Sequence, residues 1–237
     1  MSTEPTGASP QTSASSGSGT RPAAGARPSM STVEEMKGYL MLGEWDTVTD
    51  EDYQRALHHG RRTNTFVRTH LLLTAEDLEL HLSDPKHPMR IEGWIDAPSL
   101  WGYTEIRSGR FGMFVPTVNP ALKRIEYCIH FDGGEAGPLT LIGFKELTEY
   151  LFTNALQDQQ QLYTRIFRGT IGWEDVDTAP VYAVGIINLH TWDFLRYNLV
   201  GLRFHGPDRL KWGWRWVKFF TAANIRLQLL KETGRSD

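Results

Sequence analysis

Residues 125–147 read IEYCIHFDGGEAGPLTLIGFKEL, and this stretch decides the fold class. Every second residue from Ile125 to Phe131 is apolar, and the residues between them are polar or, at Cys128, small, which is typical of a strand with one buried face. Asp132 and the two glycines after it suit the positive φ angles of a hairpin turn, and residues 139–147 form a second apolar run. The stretch therefore predicts two consecutive strands that pair antiparallel.

Five further segments have the composition of strands and are separated by clusters of Gly, Pro and Asp. These segments are residues 90–96, 110–115, 161–167, 181–189 and 197–204. Consecutive strands of this kind predict a mainly β fold, an antiparallel meander of six or more strands arranged as a barrel or a sandwich. Because helical patterns occur before and after the strands, a doubly wound parallel sheet is disfavoured.

Short helices are predicted in the N-terminal part of the chain. Apolar residues at i, i+3 and i+7 over residues 33–40 indicate one helix, and Asp50 can cap a second. Thr74 and Asp77 have the capping-box spacing at the start of a third helix, which Asp84-Pro85 ends. The predicted fold is thus a β domain with short N-terminal helices.

Residues 1–30 contain no aromatic residue and no Val, Ile or Leu. They cannot bury enough apolar surface to offset the entropy lost on ordering, so they are predicted to be a disordered tail. Residues 31–237 are predicted to form a single domain. No apolar run approaches the roughly 18 residues of a membrane span, and the tail lacks the apolar segment of a signal peptide, so a cytoplasmic location is expected.

Charge and motif content narrow the function classes. Lys and Arg number 25 against 28 Asp and Glu, a net charge of −3, which disfavours a nucleic-acid partner. Cys128 alone forms no internal disulfide or cysteine-cluster zinc site and is expected to be a buried small side chain. The chain has no Gly-rich phosphate loop, GxSxG elbow or HExxH pair, so neither a cofactor nor a metal is predicted.

The C-terminal segment has the pattern of an amphipathic helix. Its apolar stripe consists of Trp212, Trp216, Phe219, Ala223, Leu227 and Leu230. Such a helix packs on its own barrel, which is the favoured interpretation, or lies in a membrane interface or a partner's groove. Trp214 lies off this stripe near Lys211 and Lys218. An exposed indole beside lysines is compatible with binding of the helix to a membrane or a partner. The candidate ligand or partner surface comprises Trp212, Trp214, Trp216, Phe219 and Phe220.

Five residues are weak candidates for acid, base or nucleophilic chemistry: Lys145, Asp158, Tyr163, His190 and Asp193. Lys145 shares a strand face with Leu141, so it is either a functional lysine in the barrel interior or is turned outward by a bulge at Gly143. His190 and Asp193 could form an imidazole–carboxylate pair, although a capping or structural hydrogen bond is the favoured role of Asp193.

Several stretches resemble one bacterial domain family. They are LTAEDLELHLSDPKHPMRIEGWIDAPSL at 73–100, GRFGMFV at 109–115, EEMKGYL at 34–40, GFKEL at 143–147, QDQQQLYTRIFRG at 157–169 and GIINLHTWDFLRYNLVGLRFHG at 185–206. Together they resemble an accessory domain found beside sterol-oxidase-type GMC flavoproteins, and often beside an α/β-hydrolase region, in large bacterial proteins. The glutamines at 159–161 depart from the threonine run of that family.

The resemblance implies an accessory role near sterol or lipid chemistry. Since the chain contains no flavin-binding or hydrolase region, the oxidase activity is not carried over. The leading function is a non-catalytic module that holds an apolar ligand or docks on a flavoprotein or hydrolase partner, with peripheral membrane contact through the C-terminal helix as a further expectation. The alternatives are a structural assembly subunit and a cofactor-independent enzyme for a hydrophobic substrate. In the enzyme, the groups converging inside the barrel are Lys145, Asp158, Tyr163 and His190.

Overall fold

The computed structural model describes residues 27–119, 122–147, 161–189 and 201–234, with side chains through Ala222. The strands in these residues are β1 (Ser29–Trp45), β2 (Phe66–Ala75), β3 (Pro88–Ala97), β4 (Gly102–Pro116), β5 (Lys123–Asp132), β6 (Pro138–Leu147), β7 (Gln161–Arg168), β8 (Val181–Leu189) and β9 (Arg203–His205). The helices are α1 (Asp50–Thr63), α2 (Leu78–Ser83) and α3 (Arg209–Gly234), with 3-10 turns at Gly134–Ala136 and Trp173–Asp175.

The first eight strands form a closed antiparallel barrel. Each strand from β1 to β7 pairs with the next along the chain, and β8 pairs back on β1. β9 pairs with the first residues of β1. The predicted antiparallel β meander is confirmed, and of the two arrangements expected it is the barrel.

Because the strands alternate in direction, their ends form two rims. The upper rim contains the starts of the odd-numbered barrel strands and the ends of the even-numbered ones. α2, which follows β2, and the loop after β4 lie at this rim, and the lower rim carries α1 and the 3-10 turn at Gly134–Ala136.

The helix predicted over residues 33–40 is wrong, because this segment is the middle of β1. Every second residue of the segment is buried, which is the period of a strand. Met36 and Leu40 are four residues apart and therefore fit both periods. At Gly38 an added Cβ would lie 2.0 Å from the carbonyl oxygen of Ile186 in β8, so the close pairing of β1 and β8 requires glycine.

Two helix starts differ slightly from the prediction. α1 is capped by Thr49 and not by Asp50, because the Asp52 carboxylate accepts hydrogen bonds from the backbone and hydroxyl of Thr49. α2 is capped by Asp77, whose carboxylate accepts from backbone amides in the first helical turn, whereas Thr74 belongs to β2. In both cases a carboxylate satisfies N–H groups that have no partner within the helix or turn.

The predicted start of the domain and the last predicted strand also shift. Met30, assigned to the tail, belongs to β1 and is buried, whereas residues 1–26 lie outside the described residues. Of the predicted strand 197–204, the last two residues belong to β9, and its first four lie outside the described residues. The folded domain therefore includes residues on the N-terminal side of the predicted boundary.

The β5–β6 hairpin and the core follow the sequence pattern. β5 and β6 pair without interruption, and the loop between them uses positive φ at Gly134 and Gly137. One apolar cluster fills the barrel interior, and a second packs α1 on the outer face of the barrel through residues such as Tyr53 and Ile186. The inner cluster extends to the upper rim, where α3 contacts it through Trp216.

Candidate ligand-binding cavity

A cavity of about 50 Å³ lies at the upper rim of the barrel. Its walls are mainly apolar side chains from the inner faces of β1 to β6, among them Met30, Met89 and Met113. Trp216 and Phe220 of α3 complete the wall, and Thr32 and Glu34 of β1 are its polar side chains. The barrel thus contains an apolar chamber with one carboxylate facing it.

α3 covers this chamber with the stripe expected from the sequence. Trp216 is 7% exposed, and its ring stacks on Phe220 with 5.0 Å between the ring centroids. Trp212 and Phe219 pack against the same interior cluster. The interpretation that the helix packs on its own barrel is confirmed for Trp212, Trp216 and Phe219, whereas the side chains of Ala223, Leu227 and Leu230 lie outside the described residues. Trp214, off the stripe, is 62% exposed.

A buried polar cluster adjoins the cavity through Glu34. The Tyr127 hydroxyl donates a hydrogen bond to Glu34 Oε2 at 2.7 Å, and Lys145 Nζ lies 5.2 Å from the centroid of the Tyr127 ring. Burial raises the pKa of Tyr127 well above its usual value, and the Glu34 carboxylate acts in the same direction. Burial lowers the pKa of Lys145, and the charge of Glu34 opposes that shift.

Lys145 occupies the interior position, one of the two orientations expected. β5 and β6 pair without a bulge at Gly143, which lies opposite Tyr127, and the Lys145 side chain is 2% exposed. Lys145 is not part of the cavity wall, so a ligand in the cavity meets Glu34 and Thr32 first.

Of the other candidate residues, only Tyr163 is among the described residues, and it does not lie beside Lys145. Tyr163 lies opposite Phe144 on the outer face of the barrel, where its ring is 5.1 Å from that of Tyr53 in α1. The expected convergence of Lys145 and Tyr163 inside the barrel is therefore wrong, because neighbouring strand positions face opposite sides of the sheet. The remaining candidates, Asp158, His190 and Asp193, lie outside the described residues.

Cys128 lies on the outer face of β5, beside an open groove. It is buried as expected, and its Sγ is 3.8 Å from Nε2 of His130. The Thr140 hydroxyl donates to the Gly169 carbonyl, so His130 Nδ1, 3.0 Å from Thr140 Oγ1, is the donor of that pair. Burial raises the pKa of the Cys128 thiol to about 11, so the thiol stays protonated at neutral pH and is a poor nucleophile.

Glu34 is the central polar residue that sequence reasoning missed. The helical interpretation of residues 33–40 rested on their apolar residues and assigned no role to Glu34, since a glutamate beside an apolar helix stripe is unremarkable. In β1 it belongs to the buried set of alternate residues, together with Thr32 and Met36. The feature that could have identified Glu34 is a glutamate at an inward position of an alternating strand. Buried carboxylates are rare without partners, so such a position indicates a polar cluster.

Comparisons with known proteins identify no relative of this chain. No protein-family model matches the chain, and neither a curated protein sequence nor a solved structure is similar to it. The likeness to the GMC-associated accessory domain therefore stays a prediction. Among the described residues no helix is long and apolar enough to cross a membrane, and no group of three or more His, Cys, Asp or Glu could hold a metal ion.

Proposed function

We propose that the protein is a non-catalytic binding module that holds a small apolar ligand inside the barrel, beneath α3. The observation that carries this proposal is the chamber at the upper rim, which is apolar except for Thr32 and Glu34. A mostly apolar wall with few polar groups is typical of small-molecule sites. Eight-stranded barrels are also wide enough to hold one small ligand.

Glu34 defines the polar end of this ligand. One of its oxygens accepts from Tyr127, and the carboxylate can accept further hydrogen bonds. A hydroxyl or an amine on the ligand satisfies that capacity, whereas a ligand carboxylate would place a like charge beside Glu34. The hydroxyl of a sterol or of another lipid alcohol, the ligand class implied by the sequence resemblance, meets this requirement.

The size of the chamber sets a condition on binding. An apolar cavity of about 150 Å³ accommodates benzene, so the 50 Å³ found here is too small even for a single aromatic ring. Trp216 and Phe220 occupy the space where a larger ligand would extend. Binding of any molecule of benzene size or larger, including the probes proposed below, therefore requires α3 to move away from the upper rim.

Two other functions have narrower support. A cofactor-independent enzyme is favoured by the buried cluster of Glu34, Tyr127 and Lys145, although Lys145 does not reach the chamber. Docking on a flavoprotein or hydrolase partner, or an assembly role, would use the outward face of α3, on which Trp214 is exposed. The docking account assigns no function to the chamber under α3, and in the enzyme account only Glu34 of the cluster faces the chamber.

The test compares two tryptophans of α3 that face opposite ways. The fluorescent apolar amine N-phenyl-1-naphthylamine is titrated into the full chain and into its Trp216→Ala and Trp214→Ala variants. Because Trp216→Ala removes part of the cover, it should bind the probe about tenfold more tightly than the unaltered chain. Trp214→Ala, which leaves the cover intact, should bind like the unaltered chain.

Equal affinities for all three proteins would contradict a ligand site under α3. Circular dichroism and thermal unfolding of each variant show that the barrel is intact before probe binding is compared. A second set of titrations with cholesterol and oleate then tests the ligand class, since the Glu34 carboxylate should favour the alcohol over the acid.

A further inference from the structure

The outward face of α3 carries an exposed apolar stripe. Leu210, Trp214 and Val217 are 85%, 62% and 43% exposed, and they are spaced at i, i+4 and i+7. That spacing places them along one side of the helix, turned away from the side on which Trp216 and Phe220 cover the barrel. The helix therefore has two apolar faces, one used by the fold and one without a partner among the described residues.

Five of the seven exposed large apolar side chains in the described residues lie at the same end of the barrel. Leu80 of α2 and Val118, in the loop after β4, are 54% and 104% exposed, and both lie at the upper rim with the stripe of α3. Only two other large apolar side chains in the described residues are exposed to this degree, Leu42 and Tyr103, and these lie toward the lower rim. One end of the molecule thus presents a concentrated apolar surface.

Basic residues flank the stripe. Residues 209–222 contain four cations, Arg209, Lys211, Arg215 and Lys218, and no acidic residue, although the whole chain has a net charge of −3. On the helix, Lys211 and Lys218 project beside the apolar stripe, and Lys218 Nζ lies 5.5 Å from the ring centroid of Trp214. The positive charge of residues 209–222 is therefore local and opposite in sign to that of the molecule, whereas α2 and its N-cap at the same rim carry the acidic residues Glu79 and Asp77.

We infer that the upper rim docks on an anionic phospholipid membrane through the outward face of α3. Leu210, Trp214 and Val217 enter the boundary between headgroups and acyl chains, and Lys211 and Lys218 face the lipid phosphates. An apolar stripe with a tryptophan and flanking lysines is the arrangement of helices that lie in a membrane interface. A protein partner would instead need a groove that encloses this stripe, and docking on such a partner is the competing outcome of the test.

This docking goes beyond ligand binding and does not require an occupied chamber. It places the covered end of the barrel against the lipid, so a membrane-derived ligand would reach α3 directly. Vesicle binding by a protein that binds no apolar probe would support docking and remove the ligand proposal. Probe binding without vesicle binding would do the reverse.

The experiment is co-sedimentation of the full chain with vesicles of phosphatidylcholine alone and of phosphatidylcholine mixed with phosphatidylserine. Binding should require phosphatidylserine and should weaken as salt is raised, because the lysines act through screened charges. Replacing both lysines, Lys211→Gln with Lys218→Gln, should weaken binding about 25-fold, which is about fivefold for each. Trp214→Ala should weaken it about tenfold.

Tyr103→Ala is the matched control. Tyr103 is 61% exposed, almost the same as Trp214, but lies toward the lower rim, so its replacement should leave vesicle binding unchanged. An equal loss in Tyr103→Ala and Trp214→Ala would overturn the assigned surface. Absence of binding to phosphatidylserine vesicles, or binding that ignores both salt and the lysines, would overturn the anionic membrane as the occupant. A purified protein partner held through Trp214 in the absence of vesicle binding would overturn it as well.

Discussion

His81 is a titratable side chain held neutral between the barrel and α3. It is 1% exposed, its Nδ1 lies 3.1 Å from the Pro88 carbonyl oxygen, and its ring lies 6.4 Å from that of Phe219 in α3. Burial lowers the pKa of His81 from 6.5 to about 4. The hydrogen bond to Pro88 opposes this shift, His87 adds to it and Asp84 opposes it.

The lowered pKa of His81 predicts an acid-sensitive stability. Between about pH 6.5 and pH 4 the unfolded chain binds a proton at this residue that the native chain does not, so the free energy of unfolding falls as the pH falls. Urea denaturation of the unaltered chain and of His81→Asn, whose amide can still donate to Pro88, measures the effect. The difference in unfolding free energy between the two should change by about 3 kcal/mol across this window.

Replacement of an exposed histidine provides the control for this titration. His58 of α1 is exposed, so His58→Ala should leave the pH dependence of the unaltered chain in place. A His81→Asn variant with the same pH dependence as the unaltered chain would show that His81 is not held neutral by burial.

The sequence predicted the interior position of Lys145 as one of two alternatives but did not predict that of Glu34. The interior position of Lys145 follows from counting along an alternating strand, since it shares the parity of Leu141 and Leu147. Glu34 could not be placed, because its role depends on the identity of its element and on Tyr127, which is 93 positions further along the chain. A local sequence pattern predicts whether a side chain points into or out of the barrel. Its contacts depend on residues that are distant in the sequence and cannot be predicted in this way.

At the scale of elements, a substitution at Gly38 tests whether residues 33–40 form a strand, as in β1, or a helix. A Cβ here would lie 2.0 Å from the Ile186 carbonyl oxygen, so Gly38→Ala should lower the free energy of unfolding by more than about 2 kcal/mol. In a helix the same change would raise stability by up to about 1 kcal/mol. The sign of the change, measured by urea denaturation, therefore distinguishes a strand from a helix.

Gly43→Ala, on the same strand, is the control for this substitution. The nearest atom to a Cβ at Gly43 belongs to the side chain of Trp45, which can move, so the change in stability should be small. A gain in stability for Gly38→Ala would contradict the pairing of β1 with β8.

Elements with a clear period were predicted well, and ambiguous ones were not. The bounds of β8 were predicted to the residue, because its apolar run is bounded by turn residues on its N-terminal side and has no helical period. Residues 33–40 failed because apolar side chains four residues apart suit both a helix and a strand, and only the pairing of β1 with β2 and β8 decides between them.

At the scale of the whole molecule, the antiparallel meander could be predicted, but the full number of strands and their closure could not, because β1 was interpreted as a helix and β2 was not predicted. Closure depends on the pairing of β1 with β8, which brings Met36 opposite Leu189 and joins distant parts of the chain. The chamber depends further on where α3 lies, since Trp216 and Phe220 form part of its wall. A helix that is amphipathic in sequence does not by itself show which surface it covers.

The central claim is that the chamber under α3 binds a small apolar ligand with a polar end. The most direct measurement is a titration with benzyl alcohol, followed by NMR of the ¹³C-labelled methionine methyl groups. Met30, Met89 and Met113 line the chamber, whereas Met41 packs in the outer cluster beneath α1. The account predicts that α3 moves to admit the alcohol and that the three chamber methyl groups show saturable shifts with Met41 unchanged. Unchanged chamber signals, or shifts of Met41 as large as theirs, would contradict it.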